Sequence, residues 1–475
     1  MARYKTYNDG QQYFEIINLE KELPPDNRAR IIKEIMGTLD ISEFNNNYNN
    51  DHAGACANHV RMMLGIILLG YIRNIFGSRS IASHFGIDLE FKYILNGAKG
   101  PDDSTIREFR RRHIKELGKI FSLTVHLGSS LGLNDFGALA VDGTKIQAYA
   151  SLYETKNKKG LKKSIDLLSK RMEKTLERLA SSESEEERSE FNKRLSNIEK
   201  RQSVLADFAR MLEDQDEDER INRVDSDARL MKKSDGKSII GYNAQAGVDC
   251  GKHGLIVSAD ISQDATDDRL LEGVADNAEK ETGMKYETIL ADSGYITYES
   301  METAEHERRD ILGPDRRYEK DLYGNSVKGE YSKSYFQYDN YNDCYYCPEG
   351  NTLEFSGMLK NKTSDLIFVY ENKAACSRCL KSSLCISNKG SFRRIHRDYR
   401  ELLRENMRER LDSNEGYLLY SKRSQVIEAV FGNIKQNKGR RQFYYRGIEK
   451  VRTEWRLICS GVNLNKIIQH LQGQD

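Results

Sequence analysis

The sequence predicts an α/β protein, in which a mixed β-sheet flanked by helices follows an all-α region. Two short apolar runs end in an acidic residue closely followed by a glycine, at Asp142 and at Asp292. Between them, residues 240–248 and 255–261 alternate across a glycine-containing turn, which predicts a β-hairpin. Because a buried strand of such a sheet opens onto a site at its carboxyl end, the two aspartates are the first candidate site residues.

The first 125 residues are predicted to form an N-terminal helical domain. The segment from His59 to Phe76 is mostly apolar but contains basic residues, as expected of a core helix. Residues 78–95 have a short-helix, glycine-turn, short-helix pattern, which fits either a DNA-reading helix-turn-helix or a plain helical bundle. Residues 101–110 then combine a proline stop, an Asp N-cap and a basic helix.

The region 126–314 is predicted to hold the first part of the sheet, interrupted by an inserted helical hairpin at 155–222. Two apolar stripes at helical spacing, within 165–179 and 191–208, lie on either side of a Ser-rich break. This pattern favours two antiparallel helices. It leaves open whether the hairpin pairs with a second protomer or only decorates the surface.

Five of the eight cysteines cluster in a second predicted insertion, at 315–390. They are spaced as Cys344-x2-Cys347 and Cys376-x2-Cys379-x5-Cys385. Two such knuckles are typical of a structural Zn²⁺ site that uses four of the five thiolates, with Cys385 either spare or in place of Cys379. A zinc-ribbon-like segment of this kind is expected to lack a core of its own. Free reduced thiols, or an iron–sulfur cluster or redox pair, are the alternatives, and the absence of an export signal argues against disulfides.

The region 391–475 contains a third candidate carboxylate, on a helix. Apolar residues from Ile427 to Ile434 predict its packed ridge, while Glu428 and Lys435, seven residues apart, share a line on its flank. Basic residues outnumber acidic ones from Phe392 to Arg456, although the net charge of the whole chain is only +1. The average therefore conceals a basic face, for which a solvated helix surface is the alternative.

Composition indicates a soluble globular protein, with 31% charged and 38% hydrophobic residues. No apolar run reaches the roughly 18 to 20 residues that a membrane span needs, and the N-terminus shows no signal-peptide core. We therefore expect a cytoplasmic protein without a membrane partner.

Three carboxylates from distant segments, Asp142, Asp292 and Glu428, match the needs of a pair of Mg²⁺ ions. Such hard cations take oxygen ligands and bind through a few carboxylates together with substrate phosphates. The indicated chemistry is metal-assisted phosphoryl transfer. Each acid taken alone has a plainer interpretation, as a structural residue after a strand or as part of a surface salt bridge on a helix.

Four motifs resemble those of the DDE transposases of bacterial insertion sequences. They are VDGTK at 141–145, GYNAQ at 241–245, ADSGY at 291–295 and Y-x2-R-x4-E-x6-K at 420–435, the last with one residue more between Arg and Glu than is usual in that family. The segment PDDSTIREFR at 101–110 is similar to a stretch of their N-terminal domains. The resemblance implies an RNase H-like catalytic core and an N-terminal domain, residues 1–125, that contacts DNA.

The resemblance also implies a mechanism of DNA transposition. Asp142, Asp292 and Glu428 would be the catalytic residues and would hold two Mg²⁺ or Mn²⁺ ions, which activate water to nick the transposon end. The freed 3′-OH would then attack target DNA. The residues implied to contact DNA are Lys145, Tyr420, Arg423, Lys435, Arg440, Arg441 and Arg446.

Transposon ends and target DNA are therefore the expected partners, at the bacterial nucleoid. Because two ends must be brought together, a homodimer on DNA is expected. Two alternatives stay open: a nuclease of the same fold that cuts without joining, and a non-catalytic DNA-binding regulator derived from a transposase.

Overall fold

The computed structural model of the protein describes residues 18–48, 56–214, 216–233, 235–316, 318, 329–360, 366–386, 390–437 and 441–473. These residues form two compact units. One comprises the residues up to Phe121 together with those from Leu457 onward, and the other runs from Ser122 to Arg456.

The N-terminal region is helical, as predicted. Its helices are α1 (Leu19–Glu22), α2 (Arg28–Thr38), α3 (Ser42–Asn45), α4 (Val60–Ile72), α5 (Ser78–His84), α6 (Leu89–Leu95), α7 (Asp103–Arg112) and α8 (Ile114–Ser130). Helix α4 is buried on nearly all sides, which confirms the core helix predicted within residues 59–76. Asp102 caps α7 by accepting a hydrogen bond from the Thr105 N–H at 2.7 Å. No helix of the described chain is both long and apolar enough to cross a membrane.

The second unit combines a mixed sheet with helices, which confirms the predicted α/β class. Its first elements are β1 (Ala138–Gln147), β2 (Thr155–Lys156), α9 (Lys158–Ala180), α10 (Glu185–Leu212), β3 (Ile221–Asn222), β4 (Arg229–Lys232), β5 (Ser238–Asp249), β6 (Ile256–Ser262), α11 (Leu271–Thr282), β7 (Thr288–Leu290), α12 (Tyr298–His306) and β8 (Ile311–Leu312). The predicted β-hairpin corresponds to β5 and β6, which pair antiparallel.

The order of strands in the main sheet brings the two predicted aspartates together. The order is β4–β5–β1–β7–β8, and β6 also pairs with β5. Strand β5 is antiparallel to β1, whereas β7 is parallel to both β1 and β8. Ala140 of β1 is in register with Leu290 of β7. Asp142 and Asp292, each two residues further along, therefore lie close together, as the sequence predicts, but only Asp292 follows the end of its strand. The expectation that Asp142 ends a strand is wrong, because β1 stays paired with β5 as far as Gln147.

Helices α9 and α10 form the inserted hairpin. The start of α9 and the end of α10 share one apolar cluster, made by Leu161, Leu168, Leu205, Phe208 and Leu212. At the base of the hairpin β2 pairs with β3, which places Thr155 opposite Asn222 and ties the two ends of the insertion together. Ile165 and Leu176 of the predicted stripe are 39% and 44% exposed, so the hairpin buries only part of that stripe.

The cysteine-rich segment forms a second sheet. Its elements are β9 (Gln337–Asp339), β10 (Cys344–Tyr346), β11 (Thr352–Lys360), β12 (Leu366–Glu371), α13 (Lys373–Arg378), α14 (Ser382–Cys385) and β13 (Arg394–Asp398). The five strands are antiparallel, and strands that are neighbours along the chain are neighbours in the sheet. The expectation that this segment lacks a core is wrong, because the sheet buries an apolar cluster of Phe336, Tyr345, Leu353, Tyr370 and Ile395.

Two consecutive helices follow this sheet and lead to the site. They are α15 (Glu401–Asp412) and α16 (Asn414–Gly432), continued by a π-helical turn at Asn433–Asn437 and later by α17 (Ile448–Leu471). Ile427, Val430 and Ile434 are at most 2% exposed, which confirms the predicted packed ridge.

Glu401, at the start of α15, is buried in an ion-pair network. Lys333 and Arg404 pair with its carboxylate, and the Tyr298 hydroxyl donates a hydrogen bond to it at 2.7 Å. Burial by itself raises the pKa of Glu401, but the charges of Lys333 and Arg404, with the hydrogen bonds, outweigh burial and lower the pKa to about 2. The network therefore fixes α15 to α12 as long as Glu401 is ionised.

Candidate active site

Arg423 lies between the two predicted aspartates. Its Nη2 is 3.3 Å from Asp142 Oδ2 and 3.7 Å from Asp292 Oδ2. Its Nε also donates to the carbonyl oxygen of Val141 at 3.4 Å, and the side chain is only 11% exposed. Because α16 carries Arg423, this helix brings one positive charge to the end of β7, beside the middle of β1, and two carboxylates share it.

Asp142 is a carboxyl group that resists ionisation. Burial raises the pKa of Asp142 to about 6, and the charges of Asp292 and Asp267 act in the same direction. The Arg423 guanidinium and the Gly143 N–H, which donates to Asp142 Oδ1 at 2.8 Å, act against this rise. One guanidinium does not balance the acids, so the site favours a further positive charge.

Asp267 is an acid of this site that the sequence interpretation missed. It lines the same cavity as Asp142 and Asp292. Its Oδ1 accepts hydrogen bonds from Asn243 Nδ2 at 2.6 Å and from Gln245 Nε2 at 3.0 Å. Two amides of β5 therefore hold this third carboxylate beside the predicted pair.

Two amide residues of β5 indicate that the site contains a further polar partner such as Asp267. Asn243 and Gln245 alternate with apolar residues and are only 1% and 2% exposed, and buried amides need hydrogen-bond partners. The sequence predicts a helix from Asp267 to Glu281, whereas α11 begins at Leu271. Asp267 therefore lies in the turn before the helix and is available to the site.

Gly143 lies within β1, opposite Gln245 of β5, and faces these residues at close range. A Cβ atom at this position would lie 2.3 Å from Gln245 Nε2 and 2.9 Å from Asp267 Oδ1. A larger residue here would displace the buried Gln245 amide, which holds Asp267, so the glycine leaves room for this hydrogen bonding.

Tyr295→Phe is expected to destabilise the sheet unit by about 1 to 3 kcal/mol. Tyr295 is fully buried, and its hydroxyl donates a hydrogen bond to Gln245 Oε1, so the variant leaves a buried acceptor without its donor. Urea unfolding followed by circular dichroism measures the change. Tyr153, which is 91% exposed, provides the matched control as Tyr153→Phe. Equal unfolding midpoints for the two variants would contradict a stabilising role for the buried hydroxyl.

Basic side chains line the rest of the cavity, whose volume is about 510 Å³. They belong to Lys145, Lys232, Lys233, Lys435 and Arg441. Lys145, Lys435 and Arg441 are among the DNA contacts predicted from the sequence. Lys232, the last residue of β4, and Lys233, which follows it, were not predicted. Acids and bases that share one open cavity suit a ligand that carries phosphates and cations together.

Glu428 is not joined to the aspartate pair. It is exposed on α16 between Arg423 and Lys435, and no hydrogen bond or ion pair in the described part of the chain connects it to Asp142 or Asp292. Across the described residues, no three His, Cys, Asp or Glu side chains are grouped closely enough to hold a metal ion as they stand. The structure thus assembles two of the three predicted acids.

The remaining predicted DNA contacts lie elsewhere. Tyr420 packs against an apolar cluster that includes Leu411. Arg446 donates from Nε to the Tyr149 carbonyl oxygen at 3.0 Å, and its guanidinium lies 5.0 Å from the centre of the Tyr149 ring. Arg440 lies outside the described residues.

Comparison with known families assigns the class. The chain matches two family models, Transposase domain (DUF772) over residues 17–112 and Transposase DDE domain over residues 346–468. Both are transposase domains, so the matches indicate a transposase, and DNA is the partner that this class implies. Together the matches support a DDE-type transposase of an insertion sequence, which confirms the resemblance of the motifs. No curated protein matches the sequence.

The DDE match indicates an enzyme of the polynucleotidyl transferase type. It begins in the cysteine-rich sheet and includes all of α16, with Arg423 and Glu428. It does not extend to Asp142 or Asp292, so the roles of these two residues rest on the geometry of the site.

Proposed function

We propose that the protein binds the terminal inverted repeats of an insertion sequence and catalyses metal-dependent DNA strand cleavage and strand transfer. The observation that carries this proposal is the convergence of Asp142 and Asp292 on Arg423, at distances of 3.3 and 3.7 Å. Two carboxylates from neighbouring parallel strands that share one cation form the kind of site in which phosphoryl transfer takes place.

An RNase H-like catalytic core is part of the proposal. It is supported by the strand order, in which the strand that carries Asp142 lies between the antiparallel hairpin β5–β6 and the parallel strands β7 and β8. It is also supported by the helix α16, whose Arg423 reaches the edge of that sheet.

The donor set fits Mg²⁺ or Mn²⁺. Asp142 and Asp292 already direct oxygen atoms at one cation, and the raised pKa of Asp142 means that further positive charge is favourable there. Asp142, Asp292 and Glu428 would hold the ions, and the place of Glu428 on α16 between Arg423 and Lys435 supports its inclusion. When bound, two such ions supply Lewis-acid activation of the attacking and leaving oxygens.

The chain's own basic residues would position the DNA backbone. Lys145, Lys435 and Arg441 line the cavity beside the acids, where each can offer its charge to a phosphate. Arg423 shields the two aspartates from each other and keeps them close together. Binding of both transposon ends by two copies of the chain, as a homodimer on DNA, completes this proposal.

DNA binding by the helical unit is supported by α7. Its side chains Arg107 and Arg111 are 64% and 69% exposed, although each pairs with an acid of its own helix. Arg79 nearby is 90% exposed. These guanidinium groups border solvent and are available to phosphates.

Nicking of a labelled DNA fragment that carries the element's own ends tests the function. The wild-type protein is expected to cut at the element boundary with Mg²⁺ or Mn²⁺, not with EDTA, and to join the cut end to target DNA. The Asp292→Asn protein is expected to bind the same fragment without cutting it. Cutting without joining would favour the nuclease alternative, and binding without cutting under both metals would favour the regulatory one.

A further inference from the structure

Four of the five clustered cysteines surround one small cavity in the second sheet. Cys347, Cys376, Cys379 and Cys385 line a space of about 30 Å³ between the turn after β10 and the helices α13 and α14. A space of this size holds roughly one water molecule or one ion. The fifth cysteine, Cys344, is buried on β10 and is not among the residues that line this cavity.

We propose that this cavity is a structural Zn²⁺ site whose ligands are the thiolates of Cys347, Cys376, Cys379 and Cys385. Four thiolates in tetrahedral arrangement are a common ligand set for structural zinc. One ligand comes from the β10–β11 turn and three come from the stretch that contains α13 and α14. The ion would therefore hold α13 and α14 against the turn between β10 and β11.

The turn that carries Cys347 has the geometry of a metal knuckle. The Asn351 N–H donates to Cys347 Sγ at 3.3 Å. The Gly350 N–H donates to the Cys347 carbonyl oxygen at 2.8 Å, and Gly350 has φ +76°, which L side chains rarely adopt. The glycine thus allows the chain to turn back and aim a backbone donor at the sulfur.

The same geometry changes the ligand set that spacing alone predicts. Cys344 and Cys347 form a C-x2-C pair in the sequence, but residues three apart on an extended chain point to opposite faces. Cys344 lies within β10, opposite Glu354 of β11, and only Cys347 follows the strand into the turn. The structure therefore leaves out Cys344 and makes Cys385 the fourth ligand.

Binding requires rotation of the cysteine side chains toward the cavity, since they are not grouped as a metal site in the described chain as it stands. All four lie in turns or at short helices and are partly exposed, and Cys347 and Cys385 also pack against the buried aromatic cluster, so the ion would lie beside that cluster. The bound ion would add to the folding stability that this small cluster supplies.

Zinc content of the full-length protein tests the ligand set. About one zinc per chain is expected for the wild type and for Cys344→Ala, whereas Cys347→Ala, Cys379→Ala and Cys385→Ala should each lose most of it. Retention of zinc by Cys385→Ala, or its loss in Cys344→Ala alone, would overturn the assignment. Wild-type protein that takes up no zinc when refolded under reducing conditions with Zn²⁺ would overturn the site itself.

Cobalt substitution is a second test that does not require the ligand variants to fold, because it compares only the wild type with Cys344→Ala. Wild type and Cys344→Ala loaded with Co²⁺ should give the same thiolate-to-cobalt charge-transfer bands, with an intensity that indicates four thiolate ligands. A weaker band in Cys344→Ala, at equal cobalt content, would make Cys344 a ligand and refute the proposal. Intact mass spectrometry that finds two disulfides among the four cysteines of freshly isolated protein would also refute it.

Discussion

Replacing Asp142 or Asp292 by asparagine, or Glu428 by glutamine, is expected to abolish metal-dependent strand cleavage while DNA binding persists. The proposed ions provide several kcal/mol of charge stabilisation, so the loss of one ligand should slow cleavage by roughly a thousandfold or more. The basic residues that line the cavity are unchanged in these variants, so their contribution to DNA affinity remains. Single-turnover cleavage and gel-shift titration with the same labelled DNA measure the two effects separately.

Controls for this prediction are available in the site and on the same helix. Glu415→Gln changes an exposed acid in the first turn of α16 and should cleave at the wild-type rate. Asp142→Asn should also be at least as stable as the wild type without metal, because ionised Asp142 is disfavoured where it lies. Its loss of cleavage would then not result from unfolding.

If Asp267→Asn abolishes cleavage and Glu428→Gln does not, Asp267 and not Glu428 is the third catalytic acid.

Glu401→Ala is expected to lower the free energy of unfolding by about 3 to 5 kcal/mol at neutral pH. The variant leaves Lys333 and Arg404, both only 13% exposed, without the carboxylate that they share, and it removes the acceptor of the Tyr298 hydroxyl. Urea unfolding at pH 7 measures the change. Glu409→Gln, an exposed position of α15, is the control and should unfold like the wild type.

The lowered pKa of Glu401 also predicts how the free energy of unfolding changes with pH. The pKa of Glu401 lies below its ordinary value of 4.5, at about 2, so its stabilising contribution is complete above pH 4.5. The contribution is lost as the pH falls from 4.5 through 2. The wild type should therefore lose more stability than Glu401→Ala over that interval. Parallel pH profiles for the two proteins would show that the network does not depend on the charge of Glu401.

The local sequence pattern was sufficient to predict the part of the site that β1 and β7 form. Asp142 and Asp292 each follow a short apolar run, and the parallel pairing of β1 with β7 puts these two runs in register, so their meeting was predictable from the sequence. The continuation of β1 past Asp142 to Gln147 was not predictable in this way, because it depends on pairing with β5. The alternating segments that became β5 and β6 were predictable for the same reason. In both cases the periodicity of a few residues determines which side of the sheet each side chain occupies.

Other features depend on contacts that no local pattern encodes. Asp267 resembles the start of a helix in the sequence, and only its pairing with Asn243 and Gln245 reveals its place in the site. The aromatic cluster of the second sheet escaped prediction because Tyr345 and Tyr370 meet only after β10, β11 and β12 have paired, with ring centres 5.1 Å apart. The choice between Cys344 and Cys385 likewise depends on which residues lie inside a strand.

The pairing of β2 with β3 has a consequence for how the chain finds its fold. Strands β1 and β5 must meet across the whole insertion, and loop-closure entropy rises with the length of the connecting chain, by about 0.6 kcal/mol for each doubling. Because α9 and α10 form a local hairpin whose ends are joined at Thr155 and Asn222, the loop that remains to be closed is much shorter than the sequence separation. The two helices can therefore be shortened by matching turns, and β1 and β5 will keep the register that places Gly143 against Gln245.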